Sequence, residues 1–146
     1  MITTSAEIVI DAPKEAVWRV VTDVNSYSEW NPLIPSAQGE PAVGASIEML
    51  ICPPGLMRRR ARVEVLALIP EREFRWLGRW GFPRILDGDH SFLVEALDAG
   101  RTRVTQTETF SGVLAGPLAA ILVPRMRQGF EAMNHALKAR CERRSS

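Results

Sequence analysis

Between about Gly116 and Cys141, Leu118, Leu122, Met126, Phe130, Met133 and Leu137 recur at spacings of four, four, four, three and four. That pattern is one apolar stripe along a single helix, with Arg125, Gln128, Glu131 and Lys138 off the stripe. A helix of about 25 residues is ~38 Å long, enough to cross a small sheet. Pro117 suits a first turn, whereas Pro124 lies deeper and predicts a kink or a later helix start. A helix with one apolar face must bury it against another layer.

The segments before it supply that layer. Ile34–Gln38, Ser46–Ile51, Arg59–Ile69, Glu73–Trp80, Ile85–Leu97 and Thr102–Ser111 read as strands. Turn signals separate them: Val43-Gly44, Pro53-Pro54-Gly55, Pro70-Glu71, Gly81-Phe82-Pro83 and Asp98-Ala99-Gly100. Connections this short imply antiparallel hairpins, because parallel crossovers need a dozen or more residues. Upstream, Thr4 to Asp11 reads as a further strand. Asp11-Ala12-Pro13 reads as a helix start with Asp11 as cap, and Asp23–Trp30 as a second short helix stopped by Asn31-Pro32. Two such helices are too small to stand alone and would plug one end of the sheet, with Trp30 in the plug. The expected class is α+β: a curved antiparallel sheet of six to seven strands closed by a long C-terminal helix.

With 146 residues, residues 1–146 are expected to form one domain. A formal net charge of +1 gives no global field for nucleic acid or an anionic membrane. No segment offers the ~20 apolar residues of a membrane span, and the first residues lack a basic or apolar signal region. Cys52 and Cys141 read as free thiols, so a cytoplasmic protein is expected. There is no G-x-x-x-x-G-K-[ST], G-x-G-x-x-G or G-x-S-x-G motif. His90 and His135 do not form a metal-ligand spacing with the cysteines. Neither metal nor cofactor is expected.

Strand alternation predicts which side chains face the helix. In the last strand Val104, Gln106, Glu108 and Phe110 form the inner row, and Arg103, Thr105, Thr107 and Thr109 the outer. His90, Phe92, Val94 and Ala96 face inward from the strand before, and Phe74, Trp76, Gly78 and Trp80 from the one before that. Trp76, Trp80, Phe92, Phe110, Met126, Phe130 and Met133 would then line an apolar cavity, with His90, Gln106 and Glu108 as its sparse polar groups. A buried carboxylate needs a partner, and His90 is the candidate for Glu108. That pairing would raise the His90 pKa relative to an isolated buried ring. The pair either balances itself structurally or performs acid/base chemistry. Arg58, Arg59, Arg60 and Arg62 read as a solvated hairpin, with phosphate or acidic-lipid binding as the alternative.

Ile8-Val9-Ile10-Asp11-Ala12-Pro13 with Val17-Trp18, then Asp23 and Tyr27-Ser28-Glu29-Trp30-Asn31-Pro32, resembles the opening of the START-like, helix-grip superfamily (SRPBCC). Gly88-Asp89-His90-Ser91-Phe92 and the run from Thr102 to Gly112 resemble the same group. The resemblance covers nearly the whole chain. It implies a cavity between sheet and C-terminal helix that binds or transports a small lipid- or polyketide-like hydrophobic ligand. Its alternative implication is a polyketide cyclase, aromatase or dehydratase, with Glu108 and His90 as acid and base. A monomer or a homodimer fits either reading.

Overall fold

The computed structural model describes residues 1–145, with side chains described as far as Arg143. The chain runs β1 (Ile2–Ile10), α1 (Lys14–Thr22), a 3₁₀ helix (Val24–Glu29), β2 (Ser36–Gln38), β3 (Ser46–Ile51), β4 (Arg59–Ile69), β5 (Glu73–Arg79), β6 (Asp87–Asp98), β7 (Arg101–Ser111) and α2 (Ala115–Ser145). The strands make one antiparallel sheet in the order β1-β7-β6-β5-β4-β3-β2. Register shifts between Val65 and Ala67 and between Ala96 and Asp98 mark bulges, which bend a sheet and increase its twist. This is the expected α+β helix-grip architecture.

α2 lies across the concave face and buries Leu122, Met126, Phe130, Met133, Leu137 and Cys141; Leu118, in its first turn, is half-buried. The opposing surface is Ile47, Met49, Ala61, Val63, Val65, Phe74, Trp76, Phe92, Val94, Val104 and Phe110. Each large side chain fully buried there contributes about 1.5–3 kcal/mol. α2 begins at Ala115 and continues through Pro124, so the later start is not observed. Val123 O, just before the proline, lies 3.4 Å from the Thr4 hydroxyl, which donates to it.

The switch from β7 into α2 depends on Gly112. Its φ is +102°, and a Cβ there would meet Ile85 O at 2.6 Å. Only glycine fits that conformation and that approach. Val113 and Leu114 N–H groups then donate to Arg84 O and Ile85 O, tying the helix start to the β5–β6 loop.

At the other end α1 buries Val17, Val20 and Val21, and Tyr27 is enclosed with its hydroxyl donating to Val21 O. Trp30 packs edge-on to Tyr27 at 5.3 Å. Asp11 is not the α1 cap. Pro13 occupies that position without a side-chain cap bond, and the Asp11 N–H donates to Glu142 Oε2 at 2.9 Å.

Candidate functional site

The register sets β6 against β7 with Gly88 opposite Phe110, His90 opposite Glu108, and Phe92 opposite Gln106. Alternation then puts all six residues on the concave face. The side chains do not meet straight across. His90 Nε2 lies 3.0 Å from Gln106 Oε1, one pair along the ladder. Glu108 leans the other way along the ladder, over Gly88, where a Cβ would lie 2.5 Å from Glu108 Oε2. Both contacts are diagonals of the same sense, as side chains on a twisted antiparallel pair can make.

The expected His90–Glu108 pair is therefore not formed. Gln106 Nε2 donates to Asn134 Oδ1 of α2 at 2.6 Å, so Gln106 Oε1 is the acceptor for His90 Nε2–H. His90 is buried among Trp76, Phe92 and Phe130, with ring centroids 4.8, 4.7 and 4.9 Å away. Burial lowers its pKa to about 4 against a partial rise from the Gln106 bond. The direction is opposite to the one the sequence predicts, because a neutral amide replaces the carboxylate. At neutral pH His90 is an uncharged donor, and as such it belongs to the framework.

Glu108 keeps some exposure as a residue, but its Oε1 is enclosed and has no hydrogen-bond partner among the described residues. Burial pushes its pKa up to about 8; the Arg59 charge pulls it down and Asp89 adds to the rise. Arg59 also departs from the solvated hairpin expected of it. Rather than standing in solvent, its guanidinium sits 3.7 Å above the Trp80 ring, a cation–π contact. It also donates to Arg79 O at 3.2 Å. Burial lowers its pKa, and the Glu108 charge opposes that.

The site residues fall into two groups. Trp76, His90, Phe92, Phe130, Gln106 and Met133 belong to the deep packed part, where the rings touch one another and Trp76 meets Phe92 at 5.4 Å. Trp80, Arg59, Glu108 and Phe110 lie nearer the end of the sheet where β5, β6 and β7 meet the loops. Met126 is buried one turn before Phe130 on α2. Sequence reasoning misses Asn134, Gly88 and Arg59. Asn134 follows Phe130 by four residues and so shares its face, which is the signal that could have found it.

Hollows of about 350 and 490 Å³ lie along β2–β4 and β4–β5, lined largely by polar residues such as Glu48, Arg60 and Arg62. A groove of about 290 Å³ runs between Ala6 and Ile8 of β1 and Asn134 and His135 of α2. Among the described residues, no three His, Cys, Asp or Glu side chains converge as a metal centre requires. No described helix is long and apolar enough to cross a membrane.

A family model for polyketide cyclase / dehydrase and lipid transport proteins matches residues 1–142. The chain belongs to this family. Among solved structures, the Zhui aromatase/cyclase from Streptomyces sp. R1128 superposes with a TM-score of 0.77 at 19% identity, covering 99% of this chain and 95% of that one. TTHA0849 from Thermus thermophilus gives 0.77 at 20% identity, with 99% of each chain covered. A START superfamily protein from Mycobacterium smegmatis gives 0.76 at 17% identity, with 97% of each covered. These likenesses establish the START-like fold that the family shares. No curated protein matches the chain in sequence.

Proposed function

We propose that this family member binds a small hydrophobic ligand, lipid- or polyketide-like, between the sheet and α2, and that Glu108 engages the ligand's polar group. The observation that carries this is the enclosed Glu108 Oε1 without a partner, set on an aromatic face beside Arg59 and Trp80. A carboxyl with a pKa near 8 is mostly protonated at neutral pH. It can then donate one hydrogen bond and accept another, which suits a ligand hydroxyl or carbonyl. Apolar walls with one or two such groups are the usual composition of a small-molecule site. Trp80 and Phe110 would contact the ligand first; Trp76, Phe92, Phe130, Met126 and Met133 would part to admit its apolar body.

Titration with decanol and with decane, read by tryptophan fluorescence, tests this. Decanol should bind at least tenfold more tightly, and Glu108→Leu should remove the difference. Equal affinity for the two in the wild type, or no quenching by either, would overturn the reading.

A second reading rests on the same carboxyl. Glu108 alone, rather than with His90, would be the general acid of a cyclase- or dehydratase-type reaction; the Zhui relative is named an aromatase/cyclase. Such proton transfer contributes about 10²–10⁴-fold. A polyketide recovered chemically altered by the wild type and unaltered by Glu108→Gln would favour it.

A further inference from the structure

Residues 51–60, 79–86 and 111–125 contain no Asp or Glu but hold six arginines. The register brings these segments to one end of the molecule. Ile51 pairs with Arg59, Arg79 with Asp87, and Asp87 with Ser111. The β3–β4, β5–β6 and β7–α2 connections therefore share that end. Cross-contacts confirm the grouping: Arg59 covers Trp80, Val113 and Leu114 bond to Arg84 and Ile85, and the Arg125 guanidinium lies over Gly55.

The same connections expose large apolar side chains. Met57 is 89% exposed, Phe82 81%, Val113 70% and Ile121 52%. They stand on separate turns and on the first turns of α2. Arg58, Arg60, Arg84 and Arg125 are exposed beside them and form no ion pair among the described residues. The opposite end is of mixed sign: Arg101 pairs with Asp98 at 2.9 Å, Lys138 lies 4.0 Å from Asp11, and Glu95 stands across from Arg103. A net charge of +1 thus conceals a local excess of arginine at this rim.

We infer that this end docks reversibly on an anionic phospholipid surface, with Met57, Phe82, Val113 and Ile121 entering the interface and the arginines meeting the headgroups. Apolar insertion and a basic patch acting together attach a protein more firmly than either alone. Each arginine near an anionic leaflet raises affinity about fivefold. Apolar tips on separate turns suit a fluid surface, whereas a folded partner would need a matching contour. Docking goes beyond ligand binding and does not depend on it, since it uses only the exposed rim.

Flotation of the full chain with vesicles of phosphatidylglycerol and phosphatidylcholine in equal parts, and with phosphatidylcholine alone, tests the inference. Binding is expected to the mixed vesicles, to weaken steeply with added salt, and to be at least tenfold poorer on phosphatidylcholine. Arg58→Gln/Arg84→Gln should lower affinity about twenty- to thirty-fold. Met57→Ser/Phe82→Ser should lower it about tenfold or more. All four side chains are exposed, so circular dichroism should stay unchanged and decanol binding should persist. Absence of vesicle binding, equal binding to both vesicles, or wild-type binding by both double variants would overturn it. So would resonance shifts of Arg58 and Arg84 with polyglutamate but not with vesicles, which would assign the face to an acidic protein.

Discussion

Glu108→Gln should make the protein more stable at neutral pH, and the gain should depend on pH in a set way. The folded carboxyl has a pKa of about 8 against an ordinary 4.5. Raised in the fold, it contributes stability that is present below pH 4.5 and is lost as pH rises toward 8. Each pKa unit corresponds to about 1.4 kcal/mol, so at pH 7 the fold forfeits up to about 3 kcal/mol by holding this group. Glutamine cannot ionise and escapes that loss. The residue retains some exposure, and the amide leaves a donor to satisfy, so a gain of about 1–2 kcal/mol at pH 7 is the expected result. The gain should vanish near pH 4.5. His90 slopes the other way. Its pKa of about 4 against 6.5 gives stability that is present above pH 6.5 and is lost as pH falls toward 4. The wild type should therefore be most stable between about pH 4.5 and 6.5, where the two slopes oppose each other. Glu108→Gln should keep the acid limb and flatten the alkaline one. Urea denaturation followed by tryptophan fluorescence at half-unit steps from pH 4 to 9 reads both limbs. Parallel curves for the two proteins across pH 5 to 8 would refute the argument, because Glu108 would then be ionised normally in the fold.

The other predictions concern the neighbours. Gly88→Ala places a Cβ 2.5 Å from Glu108 Oε2 and should cost about 1–3 kcal/mol; the penalty should largely disappear in Gly88→Ala/Glu108→Ala, as a double-mutant cycle of urea midpoints would reveal. Gln106→Leu strands His90 Nε2–H and Asn134 Oδ1 and should cost about 2–4 kcal/mol, more than Thr105→Leu on the outer row. Arg59→Gln removes the charge that restrains Glu108, so the Glu108 carboxyl carbon should titrate at higher pH by NMR, while Trp80 fluorescence shifts as its cation leaves. Phe130→Ala should cost about 3–5 kcal/mol by the same denaturation assay, since the ring is fully enclosed.

Much of this was legible because two periodicities agreed. The α2 stripe and the alternation in β5, β6 and β7 each indicated a concave apolar face, and Phe74, Trp76, Phe92, Val104 and Phe110 lie on it. Partner choice was not legible. Opposite and diagonal neighbours differ by one step of the ladder, and only the register with its twist decides that His90 reaches Gln106 while Glu108 covers Gly88. Arg59 was hidden by its companions, since a run of three arginines gives no sign that the middle one alternates inward. Asp11 carried a cap signal but sits where α2 returns to β1, and Glu142 takes its N–H first. Pro124 allowed a later helix start that did not follow, because the rest of a long helix with one buried face outweighs one missing hydrogen bond.

The two edges of the sheet are protected differently, and this bears on how copies of the chain can associate. β2 is only three residues long, too short to template a new strand. β1 has nine residues and would be the natural place for a second sheet to extend the first. Its C-terminal end is plugged by α2: Lys138 Nζ donates to Val9 O at 3.1 Å, and Glu142 accepts from Asp11 N–H while also bonding Lys138. The helix that covers the concave face thus also occupies backbone groups at the end of the longer edge. A continuous sheet shared between two copies through β1 would have to displace that lysine and glutamate, so the fold directs any self-association away from strand addition.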